Sequence, residues 1–233
     1  MSGRFSKAEI DRLGERIRAS ERLSVEDLRI LQAWRAQHAD ALDEVVRILV
    51  QDLGLHPTSR LKTQDTLIDK LHRETTRLSQ VQDVAGCRVE VDGGLAEQDD
   101  VVAGVIARFP EAKVFDRRER PSHGYRAVHI VVATAHGLVE IQVRTRLQNL
   151  WAQIIERFAE IWGRQIQYGG EPDAPEPLRP YAHGLLDTLH GLSVSAAGLE
   201  VRGLADEGSI RALEAVLQRA EAFVSSRRPA AEP

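Results

Sequence analysis

Cysteine is almost absent from this 233-residue chain. The single Cys87 excludes an internal disulfide and a cysteine-built zinc site. It stands in Ala-Gly-Cys-Arg-Val-Glu-Val, at the start of an apolar strand, and reads as a small core residue. Lysine is scarce too, with four (Lys7, Lys62, Lys70, Lys113) among 31 basic residues. That makes Lys62 and Lys70 informative where the surplus of arginine is not. No stretch approaches the roughly 18 apolar residues of a membrane helix. The opening Met-Ser-Gly-Arg-Phe-Ser-Lys lacks the apolar region of a signal peptide. A cytoplasmic protein with no membrane partner is expected. A net charge of −4 argues against a general nucleic-acid coat but leaves room for a local basic pocket. What is present, 42% apolar and 28% charged residues, is the composition of a soluble globular protein able to bury a real core.

The chain divides into N-terminal helices (1–54), a core (55–168), a Pro/Gly-rich linker (169–180), and C-terminal helices with a tail (181–233). Ser6 opens an amphipathic helix to about Ala19. Ser24 caps a longer one to about Leu53, whose stripe Leu28, Leu31, Trp34, Leu42, Val45, Val46, Leu49 faces a core and which Gly54 stops. The spacing then predicts a strand over Thr58–Thr63, a helix over Gln64–Leu78, a strand over Val84–Asp92, a helix over Leu95–Phe109 and a strand over Ala112–Phe115. A charged loop, Asp116–His123, leads into a hairpin. Its strands are Val128–Val132 and Val139–Val143, and its turn is Ala135–Gly137. Alternation puts Glu140, Gln142 and Arg144 on one polar face and Ile141 and Val143 on the other. A helix follows over Leu147–Gly163. Two more cover roughly Tyr181–Ser195 and Asp206–Ser226. The last carries an apolar stripe, Ile210, Leu213, Val216, Leu217, Ala220 and Phe223, that either folds back or joins another subunit. The fold class is α+β, with a mixed sheet of roughly five strands flanked by helices and with helical extensions at both ends.

Three charged clusters bear on chemistry. Arg60 and Lys62 on one strand face, with Lys70 on the next helix, would suit a polyphosphate, though a solvated strand edge gives the same spacing. Asp83 and Glu140 are carboxylates of the kind Mg²⁺ takes alongside phosphate oxygens, though an Asp before a strand is equally a turn former. His123-Gly124-Tyr125, with Arg117, Arg118 and Arg120 ahead of it, would leave an aromatic ring open to a nucleobase. A Tyr starting a strand serves as well in packing.

The order of these residues resembles the synthetase domain of the RelA/SpoT family, which makes guanosine tetra- and pentaphosphate. The resemblance rests on Arg60-x-Lys62, Thr66 and Lys70, Asp83-x-x-Gly86-x-Arg88, Gly124-Tyr125-x-x-x-His129, and Glu140-x-Gln142-x-Arg144-Thr145, spanning about Arg60 to Trp151. It implies a nucleotidyltransferase-like synthetase fold and a GTP pyrophosphokinase that moves the β,γ-diphosphate of ATP to the ribose 3′-hydroxyl of GDP or GTP. Arg60, Lys62, Thr66, Lys70 and Arg88 would bind ATP. Asp83 and Glu140 would be catalytic and hold Mg²⁺, with Glu140 taking the hydroxyl proton. Tyr125 would stack on the acceptor base, with His129, Gln142, Arg144, Asn149 and Arg120 around the acceptor. Two departures fall on the acceptor side. Ala127 replaces a serine of the pattern, and Arg120-Pro-Ser-His-Gly-Tyr replaces Pro-Lys-x-x-Gly-Tyr. No adjacent His-Asp pair of the family's hydrolase half is present. The same resemblance admits toxin-type relatives that pyrophosphorylate the tRNA 3′ end, with tRNA and an antitoxin as partners, others that make adenosine alarmones, and a non-catalytic nucleotide sensor. A small synthetase of this kind would use its C-terminal helices for homo-oligomerisation.

Overall fold

The first helix begins where a side chain can satisfy its free amides. Ser6 accepts from the Glu9 amide, and the Glu9 carboxylate takes the Ser6 N–H at 2.8 Å, closing a capping box at the head of α1 (Lys7–Ala19). Ser24 caps α2 (Val25–Gln51) in the same way, accepting from the Asp27 amide. The computed structural model describes residues 5–20, 22–203 and 206–227, with side chains described except at 220, 221 and 223–227. Along it follow β1 (Thr58–Leu61), α3 (Gln64–Arg73), β2 (Ala85–Val91), α4 (Leu95–Arg108), β3 (Lys113–Asp116), β4 (Val128–Ala133), β5 (Leu138–Thr145), α5 (Arg146–Trp162), α6 (Arg179–Val201) and α7 (Glu207–Arg227). The architecture is α+β, a five-stranded mixed sheet in the order β1-β2-β5-β4-β3 with flanking helices. Among the described residues no helix is long and apolar enough to cross a membrane.

The chain forms two compact units, each assembled from separated segments. The first comprises residues 1–89, 104–114 and 129–142. Its core packs Ile10, Leu13 and Ile17 of α1 against Leu31 and Trp34 of α2, Leu67 and Leu71 of α3, and Leu78, Val81 and Val84. Each fully buried aliphatic of this set contributes about 1.5–3 kcal/mol relative to exposure. Gly14 permits the approach of α1 to the turn below it, since a Cβ there would lie 2.8 Å from Leu78 Cβ. β1 and β2 pair antiparallel with Thr58 opposite Arg88 and Arg60 opposite Gly86. That register puts Arg60 and Arg88 on one sheet face and leaves Cys87 and Val89 buried on the other. The β4–β5 hairpin turns through Thr134–Gly137, where Thr134 Oγ1 accepts from the His136 and Gly137 amides.

The second unit comprises residues 90–103, 115–128 and 143–233. α5 is its centre, starting at a second capping box between Thr145 and Gln148. Leu147, Leu150, Trp151, Ile154, Ile155, Phe158 and Trp162 of α5 meet Ala182 and Leu189 of α6 and Leu213 and Leu217 of α7. Phe158 and Trp162 stack at 5.1 Å.

Several expectations change at this level. The helix expected over Gln64–Leu78 ends at Arg73. Arg18 Nε reaches the carbonyls of Leu71 (3.1 Å) and Glu74 (3.3 Å), and this draws the chain out ahead of Thr75 and Thr76. Leu28 is 36% exposed and stands off the core stripe of α2. The first C-terminal helix runs well past Ser195, and Pro180 lies in its first turn, where its missing N–H costs nothing. Within the Pro/Gly-rich stretch, Ala174 is buried in the α5 core. The α7 stripe folds back on α5 through Leu213 and Leu217. The Ala220 and Phe223 side chains of that stripe, and the tail from Arg228, lie outside the described residues.

Candidate active site

In the first unit the scarce lysines and the isolated aspartate converge. Lys62 follows β1, and its amide is held by the Val84 carbonyl at 2.8 Å, which fixes the direction of the side chain. Its Nζ lies 2.5 Å from Asp83 Oδ2. Lys70, one helical repeat into α3, reaches the same carboxylate at 3.1 and 3.2 Å. Burial resists the charge on Asp83, but the two ammonium groups outweigh it and hold the carboxyl below its usual 3.8. Asp83 is therefore ionised at neutral pH.

Glu140 sits on β5 among the residues of the same unit. Its Oε1 accepts from His129 Nδ1 at 2.8 Å and its Oε2 from Gln142 Nε2 at 2.7 Å. Burial raises its pKa, and the hydrogen bond and charge of His129 with the Gln142 contact lower it further than that. Asp83 is near enough to push it back up, and the net direction is down from 4.5. Two ionised, half-buried carboxylates that feel each other's charge fit a divalent cation that takes one or two carboxylates and completes its shell with phosphate and water. Among the described residues no group of three or more His, Cys, Asp or Glu is placed to hold a metal by itself.

Arg60 is exposed and Arg88 half-buried on their shared face. Thr66 lies in the first turn of α3, beside its capping residue. Its hydroxyl donates to the Thr63 carbonyl at 2.9 Å and its amide to the Thr63 Oγ1 at 3.3 Å, so it belongs to the α3 cap. Buried Cys87 has its thiol pushed up to about 12, by desolvation first and the Glu140 charge second.

The second unit holds the aromatic motif. Ser122 and Tyr125 exchange backbone hydrogen bonds (Tyr125 N to Ser122 O, 2.9 Å; Ser122 N to Tyr125 O, 3.3 Å), with His123 at φ 49° and Gly124 at φ 87° between them. Two successive positive φ values are the mark of a type I′ turn, which sets Tyr125 at its exit. Arg144, expected on a half-exposed face, is 2% exposed. It is buried because it is shared: Nη2 donates to the Tyr125 hydroxyl at 2.9 Å, Nη1 to Asn149 Oδ1 at 3.3 Å, and its guanidinium carbon lies 5.0 Å from the Tyr125 ring centroid. Asn149 Nδ2 donates in turn to Glu90. Glu90 carried no motif in the sequence, and only its period-2 position on β2 relative to Arg88 hinted at this face.

The arginine loop is less open than its sequence suggests. Arg118 is clamped by Asp99 at 2.7 Å and Asp116 at 2.6 Å. Arg117 and Arg120 are exposed. Ala127, at the position of the family serine, is fully buried.

Residues 59–159 match the family described as a region found in RelA / SpoT proteins. The uncharacterized protein Rv1366 of Mycobacterium tuberculosis is 42% identical over 119 residues, covering 50% of this chain and 44% of that protein. GTP pyrophosphokinase YjbM of Bacillus subtilis is 30% identical over 112 residues, covering 42% of this chain and 52% of that one. The chain thus spans about half the length of the curated relatives it matches. Among solved structures, small alarmone synthetase 1 of Bacillus subtilis superposes with a TM-score of 0.50 at 24% identity, over 74% of this chain and 95% of that one. The type VI effector Tas1, solved with its immunity protein, gives 0.50 at 18% identity over 76% and 98%. These two show a shared fold. Residues 59–159 thus resemble the region found in RelA / SpoT proteins, and the chain shares the α+β fold of the small alarmone synthetase structure.

Proposed function

We propose that the chain is a nucleotide pyrophosphokinase that transfers the β,γ-diphosphate of ATP to the ribose 3′-hydroxyl of a guanine nucleotide. The observation that carries the reading is the meeting of Lys62, Lys70 and Asp83 in the unit that also holds Glu140 with His129. In this reading Lys62, Lys70, Arg60 and Arg88 bind the triphosphate and offset charge on the transferring group. Asp83 and Glu140 would hold Mg²⁺, which when bound supplies charge neutralisation across the phosphates. The lysine contacts to Asp83 are those a phosphate would replace, and the carboxylate so released is the oxygen donor a cation needs.

The acceptor 3′-oxygen forms a bond to the β-phosphorus as the bond from that phosphorus to the oxygen bridging to the α-phosphorus breaks. AMP leaves, and the hydroxyl proton passes to Glu140. A carboxylate held below its usual pKa is a weak base. Its contribution therefore depends on position, which His129 and Gln142 fix from both oxygens. Tyr125, His129, Gln142, Arg144, Asn149 and Arg120 are assigned to the acceptor. Of these, Tyr125, Arg144 and Asn149 form one hydrogen-bonded chain within the second unit.

The test is product analysis by anion-exchange chromatography after incubation with γ-labelled ATP and GDP, GTP, AMP or tRNA in turn. Label in a guanosine tetra- or pentaphosphate supports the reading. Label in adenosine products or at the tRNA 3′ end replaces the acceptor, and no transfer to any acceptor removes the enzyme reading.

A further inference from the structure

Helix α6 lies outside residues 59–159, yet one face of it runs along the Tyr125 motif and the residues that hold Tyr125. Three contacts, at successive levels of the helix, make the case. Nearest the start, the Leu189 carbonyl accepts from Trp151 Nε1 at 2.7 Å, tying α6 to α5. Four residues on, Ser193 is 4% exposed and sits against Gly124. Its hydroxyl donates to the Gly124 carbonyl and accepts from Arg126 Nη1, while its own carbonyl accepts from the same Nη1 at 3.0 Å. Seven residues further, Glu200 accepts from the Thr145 hydroxyl, next in sequence to Arg144. Positions 189, 193 and 200 share one helical face.

The space around Gly124 shows how tightly this face closes. Its φ of 87° is one that side chains rarely adopt. An added Cβ would lie 2.7 Å from Trp151 Cζ2 and 3.3 Å from Ser193 Cβ. The turn is gripped between α5 and α6. Both neighbours of Tyr125, Gly124 before and Arg126 after, are hydrogen-bonded to the one buried serine. Arg126 is half-buried, its Nε is a buried donor with no partner among the described contacts, and its Nη1 is held by Ser193 together with the Gly124 carbonyl at 3.3 Å.

We propose that Ser193 is a positioning residue: helix α6 fixes the Gly124-Tyr125-Arg126 turn through it, so that the acceptor side of the site is completed from outside the RelA/SpoT region. The acceptor part rests on the function proposed above. The mechanical part does not.

The test therefore has two arms, run on the full chain with Ser193→Ala, Ser193→Cys and, as control on the exposed side of α6, Val194→Ala. In the first arm, hydrogen exchange is measured without nucleotide. Ser193→Ala is expected to raise exchange across residues 119–128 by about tenfold, the scale of one lost buried hydrogen bond, with the core of α5 unchanged. Unchanged exchange at 119–128, or an equal rise through the whole second unit, overturns the inference. If Ser193→Ala does not fold, Ser193→Cys, whose donor is weaker than the hydroxyl, replaces it: a smaller rise confined to residues 119–128 supports the inference, and no rise there or an equal rise through the second unit overturns it. In the second arm, Ser193→Ala raises the acceptor KM by about 5–10-fold while the ATP KM and kcat stay within about twofold, Ser193→Cys recovers part of the loss, and Val194→Ala resembles wild type. Equal change in both KM values overturns the acceptor role. If the wild-type chain transfers nothing, the proposed function fails while the exchange arm still decides the positioning.

Discussion

Glu140 has both of its oxygens held by neighbours, and both neighbours favour its charged form. In the proposed reaction, Glu140→Gln keeps the shape and removes the proton acceptor. Turnover should fall by about 10²–10⁴-fold with Tm near wild type, read by product chromatography beside a thermal melt. Asp83 and Glu140 also set an acid limit. Each has a folded pKa below its ordinary value of 3.8 or 4.5. The unfolded chain thus binds protons that the native one refuses, and stability rises with pH through that interval. The stabilisation is complete above about pH 5 and is lost as pH falls below 4.5 and 3.8 toward the depressed values. Tm measured from pH 6 to pH 3 should drop more steeply for wild type than for Asp83→Asn. Parallel curves would show that Asp83 contributes nothing to the acid limit. Cys87 gives an independent check on the packing behind the site. With its thiol pushed up to about 12 and its side chain buried, it should not react with a disulfide reagent at pH 8 until denaturant is added.

At the level of elements, most of the fold was legible because its signals are local. Ser6, Ser24 and Thr145 cap the helices they precede, and the alternation around Glu140 predicted a strand with Val139, Ile141 and Val143 inside. What escaped was whatever depends on a partner distant in sequence. Nothing near Arg73 announces that Arg18 will take the carbonyls on either side of it. Nothing near Arg144 says that Tyr125 and Asn149 will bury it, and Arg118 looked available until Asp99 was seen beside it. The spacing of Thr66 did not show that its hydroxyl would donate to the Thr63 carbonyl. The β4–β5 turn offers a clean perturbation. Gly137 has φ 153°, and a Cβ there would meet the His38 ring at 2.8 Å, a ring already edge-on to Trp34 at 4.4 Å. Gly137→Ala should destabilise the chain by about 1–3 kcal/mol, measured by urea denaturation. A loss under about 0.5 kcal/mol would mean that His38 yields freely.

On the scale of the whole molecule, residues 59–159 do not contain all of the core packed around α5. That helix buries Trp151, Phe158 and Trp162 against α6 and α7, which lie beyond residue 159. Removing residues 179–233 should leave that apolar face bare and drive association, seen as high-molecular-mass material on size exclusion, whereas the full chain elutes cleanly. A monodisperse, cooperatively melting truncated chain would show that α5 finds its cover elsewhere. The motifs read from the sequence fall in both units, with Lys62, Lys70, Asp83 and Glu140 in one and Tyr125, Arg144 and Asn149 in the other. The linear order of the motifs therefore says little about which unit each serves.

The unit boundaries fall after Val89, Ala103, Val114, Val128 and Gln142, several of them in the middle of a strand or helix. Neither unit corresponds to an uninterrupted run of codons. Recombination that grafts a foreign segment at any single breakpoint would carry part of one unit and part of the other. New specificity in such a protein would arise more readily by substitution in place.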